Sequence, residues 1–109
     1  MKKISLIAAL AILSANAFAA ESKPQFDARN CKADYPKSAL LNEEQGTVTA
    51  SFLVSADGRV EDSKLEKSSG SRTLDKAAIK AITECKFKPG TKDGAPSQAW
   101  AKVDYVWSL

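Results

Sequence analysis

The chain has 109 residues, of which 16 are Lys or Arg, 13 are Asp or Glu and none is His, for a formal net charge of +3. The lack of histidine removes the commonest general base and zinc ligand, and so slight a charge excess leaves no basic footprint for nucleic acid. None of the acidic residues sits in an apolar run of the kind that tunes a carboxyl for acid–base work, so no catalytic residue, metal ligand or cofactor is assigned and the chain does not read as an enzyme.

Residues 1–19 form a unit of their own. Lys2 and Lys3 precede the apolar run ISLIAALAIL, and Ala17, Phe18 and Ala19 place small residues around a processing site. That is the three-part layout of a secretory signal peptide. The apolar run is shorter than the ~20 residues of a membrane span, and an uncleaved N-terminal anchor is the competing reading. Cleavage leaves 90 residues, 20–109, with no transmembrane anchor and a charge of +1, because Lys2 and Lys3 are lost. A domain of that size buries about 60–65 % of its unfolded surface, so its core is marginal.

Residues 20–34, AESKPQFDARNCKAD, are polar and without periodicity, and read as an extended N-terminal arm tied down at Cys31. Cys31 and Cys85 are the only cysteines, and secretion directs them to an oxidising compartment. Their separation is not that of a redox C-x-x-C motif. A structural disulfide is expected, against the alternative of two buried free thiols. Closing such a loop stabilises by on the order of 4 kcal/mol in the chain-entropy picture.

YPKSALLNEEQG reads as a short helix with Pro36 at its first position, Ala39 and Leu40 facing inward, and Gly46 as the exit. In the next stretch Val48, Ala50, Phe52 and Val54 alternate with Thr47, Thr49, Ser51 and Leu53, the period of a half-buried strand. Asp57-Gly58 then suits a tight hairpin with positive φ values. In the return strand Val60 and Leu65 are five apart, and a bulge between them is needed to place both on one face. A helix from about Leu74 to Cys85 gathers Leu74, Ala78, Ala81, Ile82 and Cys85 on one side. Thr73 is its expected cap, Asp75 lies at its positive end, and Lys86 and Lys88 lie at its negative end before Pro89-Gly90. After the loop GTKDGAPS, the tail alternates again. Ala99, Ala101, Val103, Tyr105, Trp107 and Leu109 form one face, and Trp100, Lys102, Asp104 and Val106 form the other.

The fold class expected is α+β: a three-stranded antiparallel sheet in the order second-first-third strand, with both helices packed on one face. Both outer strands then keep an open edge.

Tyr35-Pro36, the Asp57-Gly58 hairpin, Ser68-Ser69-Gly70, Leu74-Asp75, Phe87-x-Pro89 and the alternating tail occur here in an order that resembles the C-terminal domain of TonB. The resemblance covers roughly 35–109. It implies a periplasmic protein of a Gram-negative envelope connected with TonB-dependent transport. Its partner would be a protein or peptide such as an outer-membrane transporter, bound by pairing a segment with the last strand. By position that strand is 98–108, with Gln98, Trp100, Lys102, Asp104 and Val106 as candidate partner-binding residues. Three departures stand out. The membrane anchor and proline-rich spacer of a full transducer are not seen, Glu43 and Glu44 stand where glycine and an aliphatic residue are common, and Asp104 replaces a common proline. The alternative is a self-associating structural or accessory envelope protein that forms a homodimer through the same edge. Arg72, Lys76 and Lys80 make a cationic row at i, i+4 spacing, which reads either as a solvated helix face or as a contact for an acidic partner or anionic lipid.

Overall fold

Val48, Ala50, Phe52 and Val54 are all essentially inaccessible to solvent, and they make β2 (Gly46–Val54) the centre of the molecule. The computed structural model describes residues 21–109, so the signal-peptide reading of 1–19 lies outside the described residues. On one side β2 pairs antiparallel with β3 (Val60–Lys67). On the other it pairs along its whole length with β6 (Ala99–Trp107), from Gly46 opposite Trp107 to Val54 opposite Ala99. The order β3-β2-β6 is the second-first-third order expected from the sequence.

The two helices, α1 (Lys37–Leu41) and α2 (Arg72–Thr83), cover the same face of this sheet. Ala39, Leu74 and Ala78 pack with Val48 and Trp107, while Ile82 packs with Ala50, Phe52, Val54, Ala101 and Val103. Each is a stripe of apolar residues at the period of its own element, so the burial follows directly from the alternation in the strands and the three-and-four spacing in α2. The bulge needed in β3 is present. Its register against β2 shifts between Leu53 and Val54, which sets Val60 opposite Val54 and Leu65 opposite Ala50, both on the helix face. A second shift, between Thr49 and Ala50, leaves Glu66 as an extra residue near the end of β3.

Several local expectations are corrected. Pro36 is the residue before α1 rather than its first residue, with an extended ψ of 136°. The helix is only five residues long, and Leu40 points largely to solvent while Ala39 alone is buried. The cap of α2 is Ser71, whose hydroxyl accepts from the Leu74 N–H at 3.2 Å, and Thr73 is already inside the helix. Cys85 lies just beyond the helix end. At the first hairpin only Gly58 has positive φ (90°), and the Ser55 N–H donates to the Arg59 carbonyl across a three-residue loop. The two-residue turn with both φ values positive is instead Asp93-Gly94, at 53° and 81°.

That second turn lies in the stretch expected to be a loop. It joins β4 (Gly90–Lys92) to β5 (Ala95–Ser97), and β1 (Glu21–Ser22) pairs with β4 to give a second, smaller antiparallel sheet in the order β1-β4-β5. The arm is accordingly held at many points. Gln25 and Lys88 exchange main-chain hydrogen bonds of 2.9 and 3.0 Å, and Phe26 packs on Phe87 with ring centroids 5.4 Å apart. Cys31 and Cys85 form the disulfide, and the Ala33 N–H donates to the Tyr105 hydroxyl at 2.9 Å.

Candidate partner-binding edge

Among the described residues β6 has a strand neighbour on one side only, β2. Along an antiparallel strand the N–H and C=O of each residue point to the same side, and the side alternates from residue to residue. Ser55 directs its N–H toward the return strand. Val54, Phe52, Ala50 and Val48 therefore direct theirs toward β6, where Ala99, Ala101, Val103 and Tyr105 stand opposite them. The main-chain groups of Trp100, Lys102, Asp104 and Val106 are thus turned to the free edge. The side chains agree with this phase. Thr49 stands opposite Asp104, and its hydroxyl donates to the Asp104 carboxylate at 2.7 Å, the close approach typical of a pair that shares no main-chain bonds.

The same residues place their side chains on the face away from the helices. Trp100 stands opposite Leu53 and is 45 % exposed, and Val106, at the other end of the strand, is 64 % exposed. Lys102 and Asp104 lie between these apolar ends, and neither takes part in an ion pair among the described residues. The edge is therefore hydrogen-bonding in its middle and apolar at both ends. Gln98 is different. It precedes β6, and its side-chain amide donates to Glu61 at the start of β3, so it closes the end of the sheet instead of extending the edge.

At the Trp100 end the smaller sheet frames the edge. A groove of about 510 Å³ is walled by Glu21, Lys23, Thr91, Lys92 and Trp100. Gln98 and Ala99 also line it. These two and Trp100 were singled out from the sequence, and the residues of the smaller sheet were not. The readable signal was the second Asp-Gly dipeptide, in TKDGAP, which marks a hairpin when short strands flank it.

The first turn of α2 carries a buried carboxylate, Asp75, tied to the serines that precede the helix. Burial pushes the Asp75 carboxyl up, but hydrogen bonds from the Ser68 hydroxyl and from the Ser69 N–H and hydroxyl outweigh it and hold it below its ordinary value of 3.8. Ser71 adds a second tie, donating from its hydroxyl to Glu44 at 2.6 Å. The Ser-Ser-Gly-Ser stretch is thus the device that sets the angle of α2, which in turn carries the chain over β2 to the far edge. Gly46 belongs to the same joint, since a Cβ there would lie 2.6 Å from the Ser69 carbonyl oxygen. Among the described residues no group of three or more His, Cys, Asp or Glu side chains is placed to hold a metal ion.

A family model described as the Gram-negative bacterial TonB protein C-terminal matches residues 32–109. Protein TonB of Haemophilus influenzae is 38 % identical over 72 residues, which is 66 % of this chain and 27 % of that protein. Protein tonB2 of Pseudomonas aeruginosa is 32 % identical over 80 residues, 73 % of this chain and 30 % of that one. The chain thus spans less than a third of the length of these relatives. Among solved structures, the solution structure of the Pseudomonas aeruginosa TonB C-terminal domain aligns with a TM-score of 0.63 at 22 % identity, covering 86 % of this chain and 91 % of that one. The Helicobacter pylori TonB C-terminal domain aligns with a TM-score of 0.54 at 30 % identity over 71 % and 80 %.

Proposed function

The chain belongs to the family of Gram-negative TonB C-terminal domains, and from that membership we propose that it is a periplasmic binding module acting in TonB-dependent transport, with no catalytic activity of its own. Its partner is an extended segment of an outer-membrane transporter or another envelope protein, added as a further strand along β6. The observation that carries this reading is the row of main-chain groups at Trp100, Lys102, Asp104 and Val106, which the register turns toward the open edge of the sheet. Strand addition draws affinity from such groups and selectivity from alternate side chains. Here Trp100 and Val106 offer apolar contacts at the two ends, and Asp104, where proline is common in the family, supplies an additional N–H.

Proline tolerates an edge strand but removes the donor, so Lys102→Pro and Asp104→Pro each delete one outward hydrogen bond. Each loss costs roughly 0.5–1.5 kcal/mol net, which weakens a bound peptide several-fold. The test is calorimetric titration with the N-terminal periplasmic segment of a transporter from the same cell. Binding that withstands both substitutions places the functional surface elsewhere.

A second reading draws on the same edge. An unpaired strand with exposed Trp100 and Val106 is also a template for a second copy of the chain. Sedimentation over a range of protein concentrations separates the two. A dimer that the peptide dissociates supports transporter binding at β6, and a dimer unaffected by peptide supports self-association.

A further inference from the structure

On the opposite side of the molecule from β6, a groove of about 560 Å³ runs between β3 and α2, lined by Leu65, Ser68, Arg72, Lys76, Ile79 and Lys80, with Asp75 beneath. Its floor is apolar. Leu65, 44 % exposed, faces the half-buried Ile79 across it. Its rim is cationic, because Arg72, Lys76 and Lys80 are exposed and take part in no ion pair among the described residues. Among the described residues the one carboxylate lining it is Asp75, which accepts hydrogen bonds from Ser68 and Ser69. Among the described residues none of the three cations beside this apolar trough is paired with a carboxylate, and Asp75 beneath them is a single negative charge against three positive ones.

We infer that this groove is a second docking site, separate from the β6 edge, for an extended acidic segment of a protein partner in which aliphatic and acidic residues alternate. The spacing supports the match. Residues four apart on a helix rise about 6 Å, and alternate residues of an extended chain are about 6.6 Å apart. Carboxylates at every second position therefore stay in step with Arg72, Lys76 and Lys80 while the intervening aliphatic side chains enter between Leu65 and Ile79. The flexible cationic stems reach over the apolar wall to the rim. Docking is led by side chains, because the two register shifts in β3 interrupt any regular ladder along its outer edge. With a transporter segment on β6 and an acidic segment here, one domain holds two envelope proteins at once.

Fluorescence anisotropy with a labelled peptide of alternating glutamate and valine, titrated with the oxidised protein, tests this. Joint reversal of Arg72, Lys76 and Lys80 to Glu weakens binding about tenfold, as expected when a desolvated charge row turns repulsive. Leu65→Asp weakens it comparably, and Lys102→Pro leaves it unchanged. Leu65→Ser, on an exposed side chain, serves if the triple variant does not fold. Absence of binding, or binding indifferent to both Leu65 variants, overturns the proposal. So does loss of binding in Lys102→Pro, which would assign the peptide to the β6 edge. Displacement of the peptide by vesicles containing phosphatidylglycerol would make the groove a lipid contact instead.

Discussion

Glu43 follows the last turn of α1 with φ of 53°, in the left-handed region. The helix ends there in paired bonds, from the Glu43 N–H to the Leu40 carbonyl at 3.1 Å and from the Glu44 N–H to the Ala39 carbonyl at 2.8 Å, an arrangement in which glycine is the usual residue. A side chain in that conformation costs about 1–2 kcal/mol. Glu43→Gly is therefore expected to stabilise the domain by about 1 kcal/mol, raising the thermal midpoint by roughly 4–8 °C for a domain of this size, as measured by circular dichroism. Asp75 gives a prediction of opposite sign. Its carboxyl is held below 3.8, so its contribution to stability is complete above that value and is lost as pH falls through the lowered one. Asp75→Asn should cost about 1.5–3 kcal/mol at neutral pH, the range for hydrogen bonds to a charged group. The gap between the two proteins, followed by urea denaturation, should narrow as pH drops below about 4. A gap that stays constant with pH would mean that the charge itself contributes nothing.

The two Asp-Gly turns illustrate what decides an element. Both dipeptides invite the same two-residue hairpin, yet Asp57 accepts hydrogen bonds from the Ser55 hydroxyl and the Arg59 N–H, and only Gly58 takes positive φ. The reason is tertiary. Gly58 is pressed against the segment after α2, where its carbonyl accepts from the Phe87 N–H at 2.8 Å, and a Cβ on it would lie 2.3 Å from the Phe87 carbonyl oxygen. Gly58→Ala should therefore destabilise by about 1–3 kcal/mol, the range for strain at a left-handed position, while Gly94→Ala, with open space around it, should cost less. Paired melting curves make the comparison. At the scale of β6, the proline substitutions at 102 and 104 carry a further expectation. Lys102→Pro should leave the thermal midpoint nearly unchanged, since the N–H it removes faces away from β2, whereas Asp104→Pro should lower it slightly because it also removes the Thr49–Asp104 hydrogen bond. A large drop would show that the ladder is phased the other way.

Across the whole molecule, the arm matters more than its composition suggests. It adds β1 to the smaller sheet, lays Phe26 on Phe87 and is closed by the Cys31–Cys85 bond, whose ends are 54 residues apart in sequence. A loop of that length contributes on the order of 4 kcal/mol through the unfolded state. The double substitution of both cysteines by serine should lower stability by an amount approaching that figure. Unreduced, alkylated protein should show no free thiol by mass spectrometry. The loss should also loosen the groove beside Trp100, because β1 and β4 form its wall. Faster amide exchange at Thr91 and Lys92 is the expected signature, and unaltered exchange there would show that the smaller sheet stands without the bond.

The sequence alone determined the main sheet, its strand order, the face that each strand buries, the bulge in β3 and the cysteine pair. The strand order rests on the hairpin and the right-handed helical crossover, the others on local periodicity or residue counts, and a period-two alternation such as Val48 to Val54 has few ways to bury its apolar face. The tertiary structure decided the rest. Whether Ser71 or Thr73 caps α2 depends on where Glu44 and Asp75 lie. Whether TKDGAP is a loop or a hairpin depends on β1 arriving from residues 21–22 to pair with it. The candidate edge was legible as a strand, but its phase was not, because alternation names the side chains of one face without saying which main-chain groups turn outward. That is settled only when β2 takes its place beside β6 and uses up the inward half of the hydrogen bonds.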